Sequence, residues 1–130
     1  MILGKSILGL SALVFIAYGL TSLVSPAIPA ALAGLEMSNG DAFAEIGSMY
    51  GGLQTGVGMF CLLALIKPEY YKAGLLLLIL GIGTLALARL FSALVTTDVL
   101  TAYTYGALVF EFFITAVAAT AWAKIPPNAV

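Results

Sequence analysis

The chain has 130 residues, of which 62% are hydrophobic and 8% charged, against roughly 25% charged in a soluble domain. A globule of this size buries only about two thirds of its unfolded surface, so a water-soluble fold would leave many apolar side chains in water. The net charge of −1 comes from five basic and six acidic residues with no basic run, and nucleic acid binding therefore lacks its electrostatic footprint.

A bilayer removes the difficulty. Apolar stretches occupy residues 3–24, 42–66, 73–95 and 100–123. Each reaches the roughly 20 residues that a helix needs to cross a hydrocarbon core of about 30 Å. They predict a single all-α domain over residues 1–130, an integral membrane four-helix bundle.

In chain order, the first stretch has a rival reading as a removable signal peptide, because Ala31-Leu32-Ala33 has the small residues of a cleavage site. Its apolar run exceeds the roughly 7 to 15 residues of a signal-peptide core, and Lys5 alone makes a weak positive region. A span is the expectation, ended by Ser25, Pro26 and Pro29. The connection 25–41 has room for structure of its own. Residues 28–35 are apolar enough for a short helix along the membrane surface or a plain linker, with Glu36 and Asn39-Gly40 turning the chain back.

The second stretch is rich in small residues. Gly47, Tyr50, Gly51, Gln54 and Gly58 recur at three or four residues and share one helical face. Gly47-x-x-x-Gly51 and Gly52-x-x-x-Gly56 have the spacing that lets helices approach closely in lipid. Tight packing is the plain reading of these glycines; space for a ligand tail beside Tyr50 and Gln54 is the functional one. Cys61 reads as a small buried hydrophobe, and Lys67, Pro68 and Glu69 end the stretch. Gly81 and Gly83 serve packing in the third, which Thr96, Thr97 and Asp98 separate from the fourth. Pro126 and Pro127 close the chain, and Tyr70, Tyr71 and Trp122 fall where aromatic side chains anchor at the lipid–water boundary.

Orientation follows from the lysines. Lys5, Lys67, Lys72 and Lys124 flank the spans on one side, and the other two connections carry only Glu36, Asp41 and Asp98. Basic residues mark the cytoplasmic side, so both termini are expected inside a bacterial inner membrane.

Apart from Lys5 at the very start of the first stretch, three ionisable residues fall within the spans: Glu45, Arg89 and Glu111. A charge at the bilayer centre costs on the order of 3 kcal/mol even on the lenient insertion scale, so such groups should face one another. Counted at about 1.5 Å per residue from the external end of each span, they lie roughly 5, 9 and 16 Å deep. One arginine cannot neutralise two carboxylates. Either Glu111 pairs with Arg89 and leaves the shallower Glu45 to solvent, or Glu111 takes up a proton. The cluster Glu45, Tyr50, Gln54, Arg89 and Glu111 is the candidate ligand-binding or buried polar site, and a buried ion pair that fixes helix packing is its plain alternative.

The chain has no histidine and one cysteine, which removes the commonest general base and metal ligand and any internal disulfide. No cofactor or metal set is implied.

The segment Ala44-Glu45-Ile46-Gly47-Ser48-Met49-Tyr50-Gly51-Gly52, then Ala88-Arg89-Leu90, then Glu111 resembles a family of small four-helix bacterial membrane proteins grouped as domain of unknown function 4345. Its members share an acidic residue followed by a Gly-Gly pair and a later arginine. They often carry an arginine two positions after the acidic residue, where this chain has Gly47, so Glu45 lacks an intrahelical partner. The chain is also similar, more weakly, to DoxX-like membrane proteins. The resemblance implies fold, topology and location, and no reaction.

The first functional expectation is a non-enzymatic membrane subunit or a binder of a small amphiphile or lipid, packed with copies of itself or within a larger complex. The alternative is an oligomeric transporter or proton relay through Glu45, Arg89 and Glu111. An intramembrane enzyme with Glu111 as acid or base ranks last, since no serine or cysteine stands beside a base.

Overall fold

The computed structural model describes residues 1–126; Pro127 lies outside the described residues. The fold is all-α. Helix α1 spans Ile2–Val24, α2 Ala27–Ala33, α3 Gly40–Ile66, α4 Pro68–Val95 and α5 Ala102–Ala123. All but α2 are long and apolar enough to cross a membrane, and a helix is the form in which a lipid-exposed segment satisfies its own backbone groups.

The breaks follow local chemistry. Ser25 still donates to the Thr21 carbonyl at 3.0 Å, but Pro26 has no N–H to continue α1. The short helix in the first connection forms over Ala27–Ala33, and Pro29 lies buried inside it rather than ending α1. Gly34 stops it at φ 69°, the left-handed conformation that glycine adopts without steric cost. The extended Asn39 then caps α3, its Oδ1 accepting from the Ala42 N–H at 2.9 Å.

Lys67 alone joins α3 to α4. It is extended, as a residue before proline is driven to be, and Pro68–Tyr70 makes a tight 3₁₀ turn that opens α4. In the connection after α4, Thr96 is extended and its Oγ1 accepts from the Asp98 N–H at 3.2 Å.

Two helices are not α-helical throughout. Gly47–Leu53 in α3 and Leu78–Ile82 in α4 are π-helical. Such segments are rare and hold one more residue per hydrogen-bonded ring than an α-helix does.

The chain divides into two compact units, Gly9–Leu63 and a second made of Met1–Leu8 with the chain from Ala64 onward. In the first, α1 and α3 run antiparallel with their backbones in close approach. A Cβ on Gly51 would lie 2.8 Å from the Leu23 Cα, one on Gly58 2.7 Å from the Ile16 N, and one on Gly19 2.6 Å from the Thr55 N. Glycine is required at these three positions because backbone stands where a side chain would go, and the gain is van der Waals contact.

In the second unit, α5 packs along α4. Leu75, Leu78, Ala86, Ile114 and Ala118 are fully buried there. Gly83 faces Thr115, whose Cγ2 would lie 3.0 Å from an added Cβ.

Candidate functional site

Arg89 lies in the last two turns of α4, and Glu111 nine residues into α5, about 14 Å from its start. The antiparallel packing that sets Gly83 against Thr115 brings these two side chains together one to two turns further along. The Arg89 Nη2 donates to Glu111 Oε1 at 2.7 Å, and its Nε donates to Oε1 at 3.1 Å and to Oε2 at 3.0 Å. Both carboxylate oxygens are thus engaged by one planar guanidinium, the geometry for which arginine is suited and lysine is not.

The surroundings fix the pair further. Thr115 Oγ1 donates to the Glu111 carbonyl at 2.8 Å, so the threonine hydroxyl is satisfied within its own helix and leaves the carboxylate to Arg89. The Tyr103 ring, in the first turn of α5, has its centroid 5.9 Å from the guanidinium carbon, within the range of cation–π attraction. The Glu111 side chain is 7% exposed and that of Arg89 25%. The carboxylate is sealed in the hairpin, and part of the arginine faces outward.

Of the two arrangements open from sequence, the structure has the pairing of Glu111 with Arg89. The expectation of a buried Glu–Arg–Glu set is corrected: among the described residues Arg89–Glu111 is the one buried salt bridge, and Glu45 is exposed. Glu45 lies in the second turn of α3, close to the end of the span.

Tyr50 and Gln54 are half-buried and belong, like Glu45, to the unit Gly9–Leu63. Tyr50 and Gly51 stand within the π segment, so the stripe expected from an unbroken 3.6-residue period is redistributed. Gly51 and Gly58 face α1, and Gly47 makes only ordinary contact with Pro26 at 3.6 Å. Gly52 and Gly56 are exposed, and a Cβ on either would meet nothing within 4 Å. Cys61 is fully buried.

Ser11 and Ser22 on α1 were not singled out by the sequence, yet both are fully buried with hydroxyls that have no hydrogen-bond partner. The signal was their spacing of eleven residues, close to three whole turns, which sets both on one face. Tyr103 was missed because an aromatic residue in a first helical turn reads as a boundary anchor until its neighbour is known.

A second polar feature lies at the opposite end of the α4–α5 hairpin. Lys5, Lys72 and Lys124 line a single cavity of about 320 Å³ together with Glu69 and Tyr71. The three lysines are far apart in sequence, and the start of α1, the Lys67 connection and the end of α5 bring them together.

A family model described as a domain of unknown function (DUF4345) matches residues 3–122. No curated protein and no solved structure matches the chain, so the expected likeness to DoxX-like proteins is not shown.

Proposed function

The chain belongs to the DUF4345 family, and from that premise we propose a non-enzymatic, multi-pass protein of a bacterial inner membrane that binds a small amphiphile beside Arg89. The observation that carries this reading is the asymmetry of the ion pair, with Glu111 sealed and a quarter of the Arg89 side chain exposed next to Tyr103. Arginine carries donors and no acceptor, so a headgroup seated on its exposed side must accept hydrogen bonds. A hydrocarbon tail would run along the apolar surface of α4, where Phe91 and Leu94 are exposed.

Both termini are cytoplasmic in this reading. Support comes from the gathering of Lys5, Lys72 and Lys124 at one cavity, while the connection 96–101 at the other end of the hairpin has Asp98 and no basic residue. The amphiphile therefore reaches Arg89 from the periplasmic side or the outer leaflet. The open face at Gly52 and Gly56 has the spacing for close helix packing against a second copy, which favours a homo-oligomer.

Native mass spectrometry of protein released from mild detergent tests the binding. A co-purifying amphiphile is expected on the wild type and on Arg89→Lys at reduced occupancy, and absent from Arg89→Gln. A wild-type protein that carries no amphiphile, or an Arg89→Gln variant that keeps it at full occupancy, removes the proposal.

A further inference from the structure

The cavity at the lysine end of the second unit is unused by the site at Arg89, and its chemistry is specific. Among the described residues, three lysines, Lys5, Lys72 and Lys124, line it against one acidic residue, Glu69. The side-chain balance is positive by two charges. Its volume of about 320 Å³ is at the lower end of the roughly 300–1,000 Å³ typical of small-molecule pockets, enough for a compact headgroup and not for a lipid's chains.

The walls are the ends of the apolar helices. Ala64 and Ala121, both buried, belong to the last turns of α3 and α5, so the floor of the cavity is apolar while its rim is basic. Ile66, at 65% exposure, continues the apolar surface outward from the cavity. The cavity thus lies at the level where apolar helix gives way to charge, which is the depth of lipid headgroups.

One wall is built with little tolerance. The Tyr71 phenol stands where a Cβ on Gly4 would be, so glycine at that position lets α1 pass directly against the ring. Lys5 is the next residue, and its place on the rim follows from that close approach.

We infer that this cavity is a binding site for the phosphate headgroup of an anionic phospholipid from the leaflet at the lysine end. Each lysine near an anionic surface adds attraction for anionic lipid. Gathering three around one cavity gives selection for anionic over zwitterionic lipid, where a smooth surface would give only general attraction. The lipid is favoured over free phosphate because the floor is apolar and the cavity opens onto exposed Ile66, along which acyl chains can lie. The inference concerns a site separate from Arg89 and rests on the membrane assignment alone.

The single tryptophan, Trp122, follows the cavity residue Ala121 and reports on it directly. The intact protein is reconstituted in phosphatidylcholine vesicles in which a tenth of the lipid, on the order of the anionic fraction that polybasic sites sense, is brominated phosphatidylglycerol or, in parallel, brominated phosphatidylcholine. Bromine quenches tryptophan by contact. In the wild type the anionic lipid is expected to quench at least about twofold more than the zwitterionic one, in keeping with a fraction of a kcal/mol or more of selectivity. The triple variant Lys5→Gln, Lys72→Gln, Lys124→Gln is expected to lose that preference, and the corresponding three Lys→Arg substitutions to keep it with the helical circular dichroism of the wild type. Lys67→Gln, which removes one charge beside the cavity but off its wall, is expected to keep the preference, where the single wall variant Lys72→Gln is expected to weaken it. Equal quenching by the two lipids in the wild type overturns the site, as does a preference that survives the triple substitution or falls as far in Lys67→Gln as in Lys72→Gln. Loss of the preference on adding millimolar inorganic phosphate overturns the lipid as occupant and assigns the cavity to a soluble anion.

Discussion

Arg89 and Glu111 are 22 positions apart in sequence and join through three donor–acceptor contacts between 2.7 and 3.1 Å, on neighbouring spans joined by the connection at Thr96. Neutralising either partner strands the other in an apolar hairpin. Breaking a fully buried pair costs about 3–5 kcal/mol, and the partial exposure of Arg89 moves the expectation toward the lower end. Glu111→Gln and Arg89→Gln should each lower the unfolding free energy in detergent by about 2–3 kcal/mol. The double substitution Arg89→Met with Glu111→Met should recover most of that loss. A double variant as unstable as the sum of the singles would show that the two side chains are not energetically coupled.

The close approach of α1 and α3 depends on Gly58. A Cβ there would stand 2.7 Å from the backbone nitrogen of Ile16, which cannot turn aside as a side-chain end can. Gly58→Ala should destabilise by about 1–3 kcal/mol through forced separation of the helices. Gly56→Ala, two positions away with nothing within 4 Å, should be neutral or stabilising by up to about 1 kcal/mol in the monomer. Thermal unfolding of the two variants side by side distinguishes them; equal stability would contradict the packing described.

The cap of α3 rests on Asn39, whose Oδ1 takes one of the unpaired N–H groups of the first turn. Asn39→Ala should cost about 1 kcal/mol, and Asn39→Asp should retain the cap. Hydrogen exchange at Ala42 and Phe43 is the direct measurement, with faster exchange expected in the alanine variant only.

Ser11 and Ser22 carry buried hydroxyls without a partner on α1. An unsatisfied buried polar group costs about 1–3 kcal/mol, and alanine is the better helix former. Ser11→Ala and Ser22→Ala should therefore leave stability unchanged or raise it by about 1 kcal/mol. A clear loss in either variant would mean that its hydroxyl has a partner in the membrane.

The orientation proposed from the lysines is tested by reporter fusions. A green fluorescent protein fused after Lys124 should fluoresce, and alkaline phosphatase at the same position should be inactive. At position 98, between α4 and α5, the phosphatase should be active. The reverse pattern would place the basic cavity outside and remove the directional argument for the site at Arg89.

Much of this fold was legible because hydropathy and length decide it. The four long helices begin and end within a few residues of the apolar stretches, the largest departure being α4, which starts at Pro68 rather than at residue 73. Proline does not break a helix at its first position, where its missing N–H would be unpaired in any case. The cost of charge in lipid made the pairing of Arg89 with Glu111 one of the two arrangements open from sequence. The exposure of Glu45 was less legible, because a residue near a span's end can be buried or can reach water, and hydropathy does not choose. The open space at Gly52 and Gly56 was hidden by a spacing that looks the same whether a helix faces its own chain or none. The basic cavity was visible only as a charge bias, since its three lysines come from three separate parts of the chain.

The π segment at Leu78–Ile82 precedes Arg89 by two turns of α4. A π turn is the trace of one surplus residue in an otherwise α-helical path, and it sets the phase of everything that follows. Removing a single residue there, Gly81 for instance, would let the stretch close as ordinary α-helix and swing the rest of α4 by about 100°. Arg89 would then point away from Glu111 while length, hydropathy and charge stayed almost as they are. The hydropathy profile would still show four spans, and the salt bridge would be gone. The ion pair is therefore specified by the count of residues before it as much as by the two side chains that form it.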